Sequence, residues 1–188
     1  MRLVVVGISA HFHDAACCVL RGGELVAAAQ EERFTRVKHD PSIPRRAFRY
    51  CLEAAGLTIA DVDCIAYYED PRQKLDRQLW MGLPEVPPTG PAWLFRLDAA
   101  RPEREIRELL GFDGPLEVTE HHRSHAASAY FFSGFPDAAI MTVDAVGEWT
   151  TTAYGRGKVP SWNCSRRCAS PTRWGCSTAR SLPTSDST

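Results

Sequence analysis

Two histidines four residues apart, His121 and His125, stand in the run TEHHRSHAASA at residues 119–129. If that run is helical, the spacing puts both rings on one face, one turn apart. Two neutral imidazole nitrogens so placed are the start of a divalent metal site. Downstream, Asp144 ends an apolar run and is followed by VGE, with Gly147 in it. A carboxylate at the end of a buried strand is where α/β folds hold phosphates and metals. The competing account of His121 and His125 is a pair of hydrogen-bonded core histidines. His122 points about 100° around the helix from His121 and is expected to support the site or face solvent. Two loops carry further chemistry. SAHFHD at residues 9–14 offers His13 as a proton acceptor, with His11 and Asp14 as close rivals. EERFTRVKHDPSI at residues 31–43 offers Lys38, with Arg33, Arg36 and His39, to an anionic ligand. Otherwise it is a solvated surface loop.

These groups need elements to hold them. Residues 3–8, 15–20 and 25–30 are apolar and β-branched enough to be strands, the last two joined by a tight turn through Gly22 and Gly23. Pro44 suits the first turn of a helix, and Ser42 is a possible cap. Ala47, Tyr50, Cys51, Ala54 and Ala55 would form its apolar stripe, ended by Gly56. A short strand at residues 64–68 precedes a Pro-, Gly- and Trp-bearing excursion over residues 69–93, with one short helix expected around residues 72–81. A helix over residues 102–110, stopped by Gly111, leads to a strand at 116–119, the histidine helix and a strand at 138–144. Residues 146–155 then repeat the opening pattern of apolar strand, polar turn and β-rich return. Two copies of that device suggest a duplicated architecture with a ligand between the halves.

Composition sets the outer limits. The chain has 188 residues, 44% of them hydrophobic and 24% charged, which is ordinary for a globular protein with a real core. A net charge of −1 gives no bulk attraction to nucleic acid or an anionic membrane. The apolar runs are strand-sized, and the N-terminal one is too short for a signal peptide, so a cytoplasmic protein is expected. Cys17, Cys18, Cys51 and Cys64 sit in apolar surroundings and read as reduced core residues; Cys164, Cys168 and Cys176 lack the close CxxC spacing of a zinc site.

Four strings occur in an order that resembles the N-terminal domain of the nodulation-type O-carbamoyltransferases, which include antibiotic-tailoring enzymes of aminoglycoside and cephamycin pathways. They are FHDAACCVL at residues 12–20, EERFTRVKH at 31–39, EHHRSHAASAYFFSGF at 120–135 and VDAVGEWTTTAYG at 143–155. The resemblance implies an α/β fold, the actin-like ATPase (ribonuclease-H-like) mixed sheet with helices, of which residues 1–157 are the first half of a duplicated whole. It implies that carbamoyl-adenylate, made from ATP and carbamoyl phosphate by a separate C-terminal domain, gives its carbamoyl group to the hydroxyl of a small molecule. Carried over, His121 and His125 are metal ligands for iron or a similar divalent ion, and Asp144 is the carboxylate beside metal and donor. His13 is the catalytic histidine and Lys38 a contact to the activated nucleotide. Ala145 departs from the family's usual glycine, and its methyl group crowds the approach of a phosphate.

From about Lys158 the composition turns rich in Ser, Thr, Arg and Cys, without helical or strand period. Residues 158–188 are expected to be a disordered tail. The genetic code offers a reason: read two bases later, the codons from residue 170 permit an apolar string of the kind the family carries there. The expectation is a frameshifted, truncated carbamoyltransferase, inactive by itself. The alternatives are a metal- or nucleotide-binding remnant of that family and a sugar-kinase-like phosphotransferase, which leaves the histidine pair without a task.

Overall fold

A computed structural model of the chain describes residues 2–80, 98–144, 148–158 and 177–178. The chain divides into two compact units, residues 1–120 and 121–188.

The first unit is built on a five-stranded mixed sheet. Its strands are β1 (Val4–Ser9), β2 (Ala16–Arg21), β3 (Glu24–Gln30), β4 (Cys64–Tyr67) and β5 (Leu116–Val118), in the order β3-β2-β1-β4-β5. β2 runs antiparallel to both β1 and β3, while β4 and β5 continue parallel to β1. This order and these directions are the ribonuclease-H-like pattern. The period of two decides which face is covered: Val4, Val6 and Ile8 of β1 are buried and alternate with half-buried residues. Gly22 and Gly23 turn β2 into β3 with positive φ of 61° and 88°, which glycine adopts without a Cβ clash.

A single helical turn, α1 (Glu32–Thr35), stands inside the segment expected to be a charged loop. Helix α2 (Arg45–Ala55) packs on β2 and β3. Its buried face is Ala47, Phe48, Cys51, Leu52 and Ala55. That face is rotated from the expected stripe: Tyr50 and Ala54 are exposed, and Phe48 and Leu52 replace them. Burying Phe and Leu removes more apolar area from water than burying Tyr and Ala would, and leaves the phenol hydroxyl wet. Ser42 does not cap α2. It bonds Asp40 instead, and Glu31 caps the helix, accepting the backbone N–H of Arg46 at 3.1 Å and of Ala47 at 2.7 Å. At the other end Gly56 takes the left-handed conformation, as expected.

After β4 comes α3 (Pro71–Trp80), the short helix expected in the excursion; residues 81–97 lie outside the described set. The helix expected over residues 102–110 is α4 (Arg101–Glu105) running into a π-helical turn, Ile106–Leu110, with Gly111 closing it. Cys17 and Cys51 are buried, Cys18 and Cys64 half-buried, and all four are thiols. No described helix is long and apolar enough to cross a membrane.

The second unit opens with α5 (His121–Phe131), followed by β6 (Asp137–Val143) and β7 (Thr152–Lys158), an antiparallel pair. A two-residue strand, β8 (Ser177–Thr178), pairs antiparallel with β7. β6-β7-β8 thus repeats the neighbour order and directions of β1-β2-β3. Ala145 and Gly147 fall outside the described residues, as does the expected tail apart from residue 158 and the β8 pair.

A His-His-Asp candidate metal centre

Helix α5 sets the site's frame. Its buried face includes His121, His122 and Tyr130. Glu148, itself buried, accepts the backbone N–H of His121 at 2.8 Å and so caps the helix start with a negative charge where the dipole favours one. His122 Nε2 donates to the Thr150 carbonyl at 2.5 Å, and its Nδ1 lies 2.7 Å from the Thr142 hydroxyl. Both of its nitrogens are spent, one on β6 and one on the loop that leads into β7. His122 is therefore a support, and it fixes the rotation of α5.

With the helix so held, His121 and His125 face Asp144, the first residue past β6. Asp144 is tied to the far side of its loop through its N–H, which bonds the Thr151 carbonyl at 2.8 Å. His121 Nε2 lies 2.5 Å from Asp144 Oδ2 and 3.1 Å from His125 Nε2, and His125 Nε2 lies 3.3 Å from the same oxygen. Three potential ligand atoms therefore converge on one point. Two imidazole N–H groups cannot both point into so small a space, whereas a cation there satisfies all three atoms. Ligands about 2.1 Å from one ion stand roughly 3.0–3.4 Å apart, and two of the three separations match that range. The third, 2.5 Å, is a short hydrogen bond. His121 is buried and His125 half exposed, so the centre has an open side. Two histidines and a carboxylate with open positions are the donor set of non-haem iron and catalytic zinc.

The other expected residues lie in the first unit. His13, 56% exposed at its side chain, bonds Asp14 Oδ2 through Nδ1 at 2.8 Å, and His39 Nδ1 bonds Asp14 Oδ1 at 2.9 Å. The bond from His39, with that from His13, holds the Asp14 carboxyl below its ordinary range. Asp14, Glu32 and His39 bring ligand atoms within 4.8 Å of one another. Hydrogen bonds account for that cluster, since Glu32 accepts the His39 backbone N–H at 3.1 Å. Lys38 is exposed in a turn between left-handed Arg36 and His39.

The structure separates His11 from His13. The His11 side chain is 8% exposed, with Nδ1 3.1 Å from the Tyr67 hydroxyl and Nε2 2.9 Å from Glu105 Oε2. Tyr67 donates to the Ala10 carbonyl at 3.0 Å. Burial, above all, lowers the His11 pKa, with the bond to Glu105 opposing it. Sequence reading missed Glu105 and Glu148. Glu148 lies in the VDAVGE string and so had a signal; Glu105 is 94 positions from His11 and had none.

The family profile described as "Carbamoyltransferase N-terminus" matches residues 4–84 and 105–163 of the chain, running past Lys158 where the composition changes. Uncharacterized protein sll1178 of Synechocystis is 39% identical over 175 residues, which cover 84% of this chain and 28% of that protein. Nodulation protein NolNO of Sinorhizobium fredii is 36% identical over 153 residues, 74% of this chain and 20% of that protein. The chain thus spans about a quarter of the length of these curated relatives. Among solved structures, YeaZ from Pseudomonas aeruginosa aligns with a TM-score of 0.44 at 13% identity, over 85% of this chain and 62% of that one.

Proposed function

Because the chain belongs to the carbamoyltransferase N-terminus family, we propose that it carries the acceptor-side chemistry of an O-carbamoyl transfer. The convergence of His121, His125 and Asp144 supports the reading most directly. Those three residues would hold iron or a similar divalent ion, which when bound supplies Lewis-acid polarisation of a carbonyl.

The chain's own residues do the rest. His13 turns Nδ1 to Asp14, which fixes the tautomer and leaves the Nε2 lone pair to take a hydroxyl proton. The acceptor oxygen bonds to the carbamoyl carbon, the bond from that carbon to the phosphate oxygen breaks, and AMP leaves with the electron pair. Lys38 supplies a point charge to the departing phosphate. The donor is carbamoyl-adenylate, formed from ATP and carbamoyl phosphate by a C-terminal domain in the part of the relatives that this chain does not span. The acceptor is a small molecule such as a sugar or an antibiotic, and the setting is the cytoplasm, a reading the four thiols support.

A second reading, a metal- or nucleotide-binding form without transfer activity, takes the His121, His125 and Asp144 cluster as a binding site alone. The two separate in one experiment. The chain is mixed with the C-terminal remainder of the Synechocystis relative, ATP, [14C]carbamoyl phosphate and a panel of sugar and aminoglycoside acceptors. Label on a hydroxyl, lost in His13→Ala, is the expected result. No label under any combination leaves the second reading.

A further inference from the structure

A cavity of about 400 Å³ opens in the first unit between α2 and the α4–π helix. That is within the size range of small-molecule sites. Four guanidinium groups line it, Arg45, Arg46, Arg49 and Arg101, against two carboxylates, Glu31 and Glu105.

The carboxylates are already committed. Glu31 is 3% exposed and caps α2 through two backbone N–H groups. Glu105 accepts from Arg101 Nε at 2.6 Å and from His11 Nε2 at 2.9 Å. The guanidinium groups are not. Among the described residues, the side chains of Arg45 and Arg49 have no hydrogen-bond or ion-pair partner, and Arg101, only 28% exposed, spends Nε alone. Arg46 gives Nη1 to the Phe34 carbonyl. A concave site with two positive charges in surplus and planar forks of unspent donors matches a phosphate dianion.

We propose that this cavity binds a small phosphate dianion, as inorganic phosphate or a phosphomonoester, on Arg45, Arg49 and Arg101. The site is independent of the metal centre. It touches the His13 loop through one chain of contacts: Arg101 holds Glu105, and Glu105 holds His11. His11 is the left-handed residue, φ 70°, two positions before His13. An anion on Arg101 weakens the positive field at His11, and the imidazole should respond.

The test is calorimetric titration of the 188-residue chain at fixed ionic strength with inorganic phosphate, AMP and ribose 5-phosphate. EDTA is kept in the buffer so that no metal offers a second phosphate site. Saturable binding is expected, weakened about tenfold in Arg49→Gln, as the loss of one charged hydrogen-bond donor implies. It should be abolished in the Arg45→Gln/Arg49→Gln double variant and unchanged in the surface control Arg2→Gln, all with native circular dichroism. Tighter binding of AMP assigns a nucleotide source, of ribose 5-phosphate a sugar phosphate, and of neither a free anion. In parallel, phosphate should shift the His11 imidazole resonances of the wild type but not of the double variant. No saturable heat with the wild type overturns the proposal. So does equal loss in Arg2→Gln, or binding without a His11 response, which places the anion elsewhere.

Discussion

Neighbouring histidines on α5 carry opposite burdens. His122 is buried and bonded at both nitrogens, so His122→Ala leaves a cavity and removes one bond each from the Thr142 hydroxyl and the Thr150 carbonyl. A loss of about 2–3 kcal/mol in urea unfolding is expected. The His125 side chain is 51% exposed, and His125→Ala should change stability by less than about 0.5 kcal/mol while weakening metal binding. Equal effects of the two substitutions on stability would contradict the division of labour. His11 adds a pH signature. Its pKa is lowered in the folded protein, so the unfolded chain takes up the proton first, at about pH 6.5. The stability it contributes is complete above that pH and is lost as pH falls through the lower folded value. Urea midpoints measured at pH 7.5 and 5.5 should therefore differ less in His11→Gln than in the wild type.

At the scale of elements, β7 lies so close to α5 that a side chain does not fit between them. A Cβ added at Gly157 would stand 2.6 Å from the Tyr130 ring. Gly157→Ala must push Tyr130, and with it the histidine helix, away from the sheet. A cost of about 1–3 kcal/mol is expected, with weakened metal binding, and restoring the space with Tyr130→Leu should recover part of both. Glu148→Gln keeps the hydrogen bond to the His121 N–H but drops the charge, and should cost under about 1 kcal/mol in thermal melts. These elements differ in how far the chain alone announced them. The strands of the first sheet, the glycine turn and the histidine helix were legible because each is set by local period and local turn chemistry. The caps of α2 and α5 were not, since Glu31 and Glu148 reach helix starts 15 and 27 positions away. The face of α2 was misread because Tyr50 and Ala54 fit a helical stripe as well as Phe48 and Leu52 do. The π turn after α4 leaves no mark in the pattern of residues 102–110. Within the candidate site, the histidine spacing and Asp144 were visible in the string, while the packing that makes His122 a support depends on residues 20 and 28 positions downstream.

For the molecule as a whole, the second unit shows an apolar face with no described cover. On β6, Ile140 and Thr142 are buried, while Met141 and Val143 on the opposite side are each 70% exposed. Tyr154 of β7, paired with Met141, is 56% exposed beside them. Contiguous apolar surface of this kind drives association. The purified chain should self-associate with rising concentration in light scattering, and Met141→Thr/Val143→Thr should suppress it without changing metal affinity. The strand order is duplicated in the two units, β1-β2-β3 in one and β6-β7-β8 in the other, and in each the connection between the first two strands carries residues with chemistry, His13 in one and Asp144 in the other. The central claim rests on that second connection. Cobalt(II) titrated into the metal-free chain and followed by its visible bands tests it most directly. One saturating equivalent is expected, with affinity reduced at least about tenfold in each of His121→Ala, His125→Ala and Asp144→Ala. Binding that does not saturate, or that survives all three substitutions unchanged, would contradict a metal centre at this corner.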